Sequence, residues 1–96
     1  MEQAVLIGYR PYKYTDPKTN KVYEGYTLFL LESMNPNSGT GYIPLSFYDR
    51  FNNRSKYPSV SLDFFKEKKI DSFKMFQKVN LLFDRNNHLI EFVAAN

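Results

Sequence analysis

Cysteine is absent from the 96 residues, and histidine occurs once, at His88. The first absence excludes a disulfide framework and any thiolate metal site, and makes the reducing cytoplasm the expected compartment. A lone histidine, placed at a turn, leaves Cys/His metal ligation and His-based nucleophilic catalysis without the partners they need. The four glycines, at positions 8, 25, 39 and 41, never form a glycine-rich turn from strand to helix followed by Lys and Ser or Thr, so a phosphate-cradling loop is missing. Carboxylates that could work in pairs, Glu32 with Asp49 or Asp63 with Glu67, have nothing in the sequence to gather them into a cleft, and the second pair reads as a helix surface. No enzyme, metal or cofactor is expected. No run approaches the roughly 20 apolar residues of a membrane span. The short apolar run at residues 4 to 7 lacks the basic lead-in and length of a signal peptide. Neither a membrane nor an export route is expected. Repeats, low-complexity tracts and linkers are missing too, so residues 1 to 96 are expected to form one domain.

What is abundant is aromatic. Eight Tyr and nine Phe bring aromatics to 18%, so the core has to be built largely from rings that favour strands. Net charge is +3, with a pI near 9.1, a mild excess that suits an anionic partner without requiring one. Its placement says more. The first 60 residues hold seven basic side chains (Arg10, Lys13, Lys18, Lys21, Arg50, Arg54 and Lys56) against five acids. Most of those cations stand at strand ends or loops beside tyrosines: between residues 7 and 48, Tyr9, Tyr12, Tyr14, Tyr26, Tyr42 and Tyr48 are interleaved with Arg10, Lys13, Lys18 and Lys21, and the stretch leads into Arg50.

Alternation of side chains sets out the elements. Residues 4 to 15 read as a long first strand with Arg10, Tyr12 and Tyr14 on one side and Lys13 on the other. Pro11 requires that strand to be at an edge or bulged. Residues 16 to 21 (Asp-Pro-Lys-Thr-Asn-Lys) form a hairpin loop. In the second strand, residues 22 to 32, Thr27, Phe29 and Leu31 face one way and Tyr26, Leu28 and Leu30 the other. Residues 33 to 41 are the clearest loop. Residues 42 to 48 form the third strand, Ile43, Leu45 and Phe47 inward, followed by a polar, basic loop over residues 49 to 58. Ser59 or Ser61 caps a short helix running through Leu62, Phe65 and Lys69. Residues 73 to 83 and 88 to 94 then make a closing hairpin around Asp84 to Asn87, with Val79, Leu81 and Phe83 inward.

Five strands with a helix between the third and fourth is the element order of an OB-fold, an all-β barrel of small α content whose helix plugs one end. The segment Gly8-Tyr9-Arg10-Pro11-Tyr12-Lys13-Tyr14, the hairpin loop after it, the opening Gly25-Tyr26 and the ending Val79-Asn80-Leu81-Leu82-Phe83-Asp84-Arg85-Asn86-Asn87-His88-Leu89-Ile90 resemble the small single-stranded DNA-binding proteins of phages and conjugative plasmids. In layout across nearly the whole chain they are similar to the filamentous-phage helix-destabilising proteins. The resemblance implies an OB-type barrel lined by tyrosines and basic residues, a homodimer, and work in replication, recombination or transfer of a mobile element. The chain departs from that family in its longer segment from 49 to 69.

Residue chemistry points the same way independently of the resemblance. Bases stack on rings while phosphates need cations nearby, so single-stranded DNA is the expected partner, and single-stranded RNA offers the same chemistry. The expected stacking residues are Tyr12, Tyr14, Tyr26, Tyr42 and Tyr48, and the expected phosphate contacts are Arg10, Lys13, Lys21, Arg50 and Arg54. Any one of these tyrosines is equally well explained as an ordinary half-buried strand aromatic, and any one of the cations as a solvated surface charge. The competing function is a protein-interaction module of a mobile element that docks on a host or replication protein through the same rings, since Tyr and Arg are also enriched at protein interfaces.

Overall fold

Two long antiparallel strands organise the molecule. In a computed structural model that describes residues 2 to 95, β1 (Glu2–Thr15) and β2 (Val22–Ser33) pair from Val5 opposite Leu31 to Thr15 opposite Val22. The turn between them is closed by the Asp16 N–H on the Lys21 carbonyl (2.8 Å) and by the Asp16 carboxylate on the Lys18 N–H (2.9 Å), with Asn20 in the left-handed region at φ 59°. One residue of β1 has no partner. Leu6 lies opposite Leu30 and Gly8 opposite Phe29, so Ile7 is the extra residue of a β-bulge. Before it Ala4 and Leu6 point inward and are buried; after it the inward positions are odd-numbered, beginning with Tyr9 opposite buried Leu28. The break in the first strand therefore falls at Ile7 rather than at Pro11. Pro11 sits where β1 has β2 on one side only, because pairing with β7 ends at Val5.

The other edge of β2 is filled in pieces. β3 (Tyr42–Pro44) covers Leu31 to Ser33, and the Leu45 N–H reaches the Leu30 carbonyl (2.9 Å). The chain then leaves the sheet to make a separate hairpin, β4 (Phe47–Asp49) with β5 (Arg54–Lys56). It returns at Pro58, whose carbonyl accepts from the Leu28 N–H (2.9 Å), and β6 (Ser59–Ser61) pairs with Gly25 to Thr27. The expected third strand over residues 42 to 48 is thus split. Pro44 brings no donor to the ladder, and Phe47 and Tyr48 pair with Lys56 and Ser55 instead of with β2. The expected loop over residues 49 to 58 is largely that hairpin and its return.

Ser61 ends β6 and starts the helix. Its Oγ accepts from the Phe64 N–H (3.1 Å) at the head of α1 (Leu62–Glu67). A single 3-10 turn follows at Ile70–Ser72. Residues 73 to 77 do not join the next strand, which was expected to begin at Phe73. Phe73 packs its ring on Phe92 (centroids 4.9 Å apart), Phe76 is left-handed at φ 67°, and the Phe76 N–H bonds the Leu6 carbonyl beside the bulge (2.6 Å). β7 (Lys78–Phe83) and β8 (Leu89–Ala94) then form the closing hairpin.

The main sheet runs β3, β2, β1, β7, β8, with β6 beside β2. Among the described residues β3 and β8 do not pair with each other, so the expected five-stranded barrel is not closed. The reason lies in the split strand: three residues of β3 suffice for one neighbour and leave nothing to reach across to β8. What stands is a mostly β architecture with one small helix. Its core is the sheet's inner face, with Leu6, Leu28, Leu30, Val79, Leu81 and Phe92 almost wholly buried, roofed by Val60, Phe65 and Ile70. Phe65 stacks on Tyr26 (3.8 Å, 16°) and meets Tyr9 edge-on (5.0 Å), which fixes the helix on the sheet.

Two features make testable demands. Gly25 faces both Tyr12 on β1 and Ser61 on β6, and a Cβ there would lie 2.0 Å from the Val60 carbonyl oxygen. Because the obstacle is backbone, Gly25→Ala is expected to lower unfolding free energy by about 1 to 3 kcal/mol in a denaturant titration. At the far end of the β1–β2 ribbon, the Glu2 carboxyl is pushed up from 4.5 to about 7 by partial desolvation and by a hydrogen bond and like-charge repulsion with Glu32. The folded state therefore holds this proton more tightly than the unfolded chain. That contribution is fully present below pH 4.5 and is lost as pH rises through about 7. Melting temperature should fall over that window, and Glu2→Gln should flatten the fall.

Candidate nucleic-acid interface

Past the bulge, the outer face of the β1–β2 ribbon carries Gly8, Arg10, Tyr12 and Tyr14 from β1, opposite Phe29, Thr27, Gly25 and Tyr23 from β2. Cross-strand neighbours Tyr14 and Tyr23 lie nearly parallel, with centroids 6.5 Å apart and planes at 26°. The Lys21 ammonium stands over the Tyr23 ring (5.2 Å), and the Arg10 guanidinium over Phe29 (5.6 Å). Phe29 also takes the edge of Tyr57 (5.4 Å, 71°), which draws the chain leaving β5 against the ribbon.

The result is an open groove of about 610 Å³. One wall is the ribbon, with Arg10, Tyr12, Tyr14, Tyr23 and Thr27; the other is the end of the hairpin, with Arg54, Ser55, Lys56, Tyr57 and Ser59. Four phenols and three cations line it, and among the described residues no carboxylate does. Such a surface offers flat faces for stacking and positive charge for phosphate at close range.

The ten residues expected at the interface separate into groups. Arg10, Tyr12, Tyr14 and Arg54 meet in the groove. Lys21 sits at its outer end on Tyr23. Lys13 lies opposite Glu24 on the ribbon's other face, because alternation past the bulge puts it with Tyr9 and Pro11. Tyr26 belongs to the core, its ring covered by Phe65. Tyr42, on β3, is near the opposite end of the sheet, beside a small hollow lined by Gln3, Val5 and Lys78. Tyr48 and Arg50 are on the hairpin but outside the groove. Tyr48 faces a second hollow, its hydroxyl donating to the Asn53 side-chain oxygen, and Arg50 is exposed in the turn.

Two contributors were not anticipated as site residues: Tyr23 and Tyr57. Tyr23 was within reach of alternation, since it shares parity with Thr27 and Phe29, already assigned to one face. Tyr57 lies where a loop is expected, with no periodicity to orient it, whereas the neighbouring Lys56, a basic residue weighed with the other cations for phosphate contact, does line the groove.

The hairpin tip is held by one carboxylate. Asp49 Oδ1 accepts from the Phe51 N–H (3.0 Å) and Oδ2 from the Asn52 side-chain amide (2.7 Å). These bonds, the amide of Asn52 foremost, keep the Asp49 carboxyl below the ordinary carboxylate range. In the β7–β8 turn Asp84 is held low in the same way, chiefly by the His88 N–H (2.9 Å) and then the Asn86 N–H (2.8 Å).

No protein-family model matches the chain, and comparisons with curated proteins and with solved structures find no match.

The division between core and groove tyrosines is checked by thermal unfolding of two single variants. Tyr26→Leu removes the ring stacked on Phe65 and is expected to cost about 1 kcal/mol or more of stability. Tyr14→Leu, on the exposed ribbon, should leave the melting temperature within about 2 to 4 °C of the parent, as surface changes of about 0.5 kcal/mol or less do.

Proposed function

We propose that the groove between the β1–β2 ribbon and the β4–β5 hairpin binds single-stranded DNA without marked sequence preference and without catalysing a reaction on it. The observation that supports this best is the groove's lining: Tyr12, Tyr14, Tyr23 and Tyr57 with Arg10, Arg54 and Lys56, and no carboxylate among the described residues. Every base presents a π-face, so stacking on tyrosine tolerates any sequence. Cations on both walls suit a backbone running between them. A duplex hides its base faces, and the groove offers no helix for the major groove. Single-stranded RNA is a second substrate of the same chemistry.

The sheet order and the helix after the third strand position also support reading the fold as an open variant of the OB type, a partly open barrel that binds oligonucleotides on its strand face and adjoining loops. Homodimerisation, a cytoplasmic location and service to a phage or plasmid in replication, recombination or transfer come from the resemblance to the helix-destabilising proteins and are proposed on that ground.

Fluorescence anisotropy with labelled single-stranded, duplex and RNA oligonucleotides tests the reading. Single-stranded DNA should bind more tightly than duplex, with log K falling against log salt at a slope near −2, about 0.7 for each of three cations. Arg10→Ala should reduce that slope by about 0.7, whereas Tyr14→Leu should lower affinity by about 1 kcal/mol or more and leave the slope unchanged. Equal duplex affinity would overturn the proposal, and a flat salt titration would overturn it in favour of docking of a protein on the same rings.

A further inference from the structure

Phe51 is 99% exposed at the tip of the β4–β5 hairpin, in a turn that Asp49 holds by bonds to the Phe51 and Asn52 N–H groups and the Asn52 amide. The turn thus holds out a flat aromatic face with nothing packed on it, which is what a base stacks on. Phe51 borders a second hollow, of about 320 Å³. Phe47, Tyr48 and Phe51 form one wall and the β7–β8 turn, with Asn86, Asn87 and His88, the other. Lys56, Tyr57 and Ser59 line both this hollow and the groove, so the two join across the end of β5.

We infer that the hollow is a second base-binding subsite, continuous with the groove, in which Phe51 and Tyr48 stack a nucleotide of the strand that the groove already holds. This rests on the proposed single-strand function. The chemistry favours a base over a phosphate there. Asp49 and Lys56 both line it, so among the described residues the hollow offers a phosphate no excess of positive charge, unlike the groove. A neutral, flat base meets two exposed rings, and the amides of Asn86 and Asn87 are free to bond its edge. The phosphates remain beside Lys56, the cation common to both spaces. Arg50 and Arg54 flank Phe51 along the hairpin and keep the approach positive.

Binding of oligonucleotides of two lengths tests this: one of about 4 nucleotides, to fill the groove alone, and one of about 12, to run on into the hollow, within the range of site sizes known for small barrels. The parent protein should bind the longer strand more tightly than statistics of overlapping sites predict. Phe51→Ala, at a position with no packing to lose, should weaken the longer strand about fivefold or more, and leave the shorter one unchanged. Tyr14→Leu should weaken both. If the parent binds both lengths but Phe51→Ala alters neither, or alters both alike, the subsite is overturned while the groove stands, and Phe51 is left as an anchor for a protein. If the parent binds neither length, the groove reading itself fails and the subsite with it.

Discussion

The arrangement of the outer face depends on one unpaired residue. Strand alternation makes every inward position differ by two, and Ala4 and Leu6 are inward. Continued without interruption, that parity would send Arg10, Tyr12 and Tyr14 into the core and Lys13 and Pro11 out. The extra residue at Ile7 reverses the parity, so the apolar half of β1 faces the core while the aromatic and basic half presents its rings outward. The bulge is itself held from the side: Leu6 gives its N–H to the Gln77 carbonyl (3.0 Å) and takes the Phe76 N–H on its own carbonyl. The left-handed turn at Phe76 is thereby tied to the place where the strand changes face.

The second wall of the groove comes from the way β2 finds its other neighbour. A continuous third strand would have covered that edge and left nothing above the outer face. Because β3 and β6 cover it in two short pieces, the fourteen residues between them are available for a hairpin, and its return path brings Tyr57 onto Phe29. Gly25 is the condition for the return, since the Val60 carbonyl occupies the space of any Cβ there. Packing at one glycine thus decides how closely the cations of β5 approach the tyrosines of the ribbon.

Much of this was legible in the sequence, and the failures have identifiable causes. Alternation assigned Leu28 and Leu30 to one face and Thr27 and Phe29 to the other, separated Lys13 from Tyr12 and Tyr14, and placed the closing hairpin and the helix cap. The same alternation puts Tyr26 with Leu28, and its burial under Phe65 follows from that; grouping tyrosines by composition rather than parity obscured it. The split of the third strand turns on Pro44, inside a stretch that otherwise alternates well. Arg54–Lys56 gave no strand signal because all three residues are exposed and polar, and they pair only with their own hairpin partner. The turn over residues 73 to 77 was hidden by its phenylalanines, which read as strand until one of them adopts a left-handed backbone. An open sheet instead of a barrel is a question of whether two edges meet, and nothing local in a sequence records it.

The two halves of β1 also differ in when they can become ordered. Beyond the bulge the strand pairs with β2 across a six-residue turn, a local contact with little loop entropy to overcome. Before it, residues 2 to 5 pair with residues 78 to 81, near the other end of the chain. A growing polypeptide can therefore assemble the aromatic ribbon long before β7, which pairs with residues 2 to 5 of the same strand, has been made. The rate of complete folding should be governed by that late closure rather than by the hairpin. The bulge that divides the strand by facing thus also divides it by folding order, leaving the groove's principal wall as the early, autonomous part of the fold and the core beneath it as the late one.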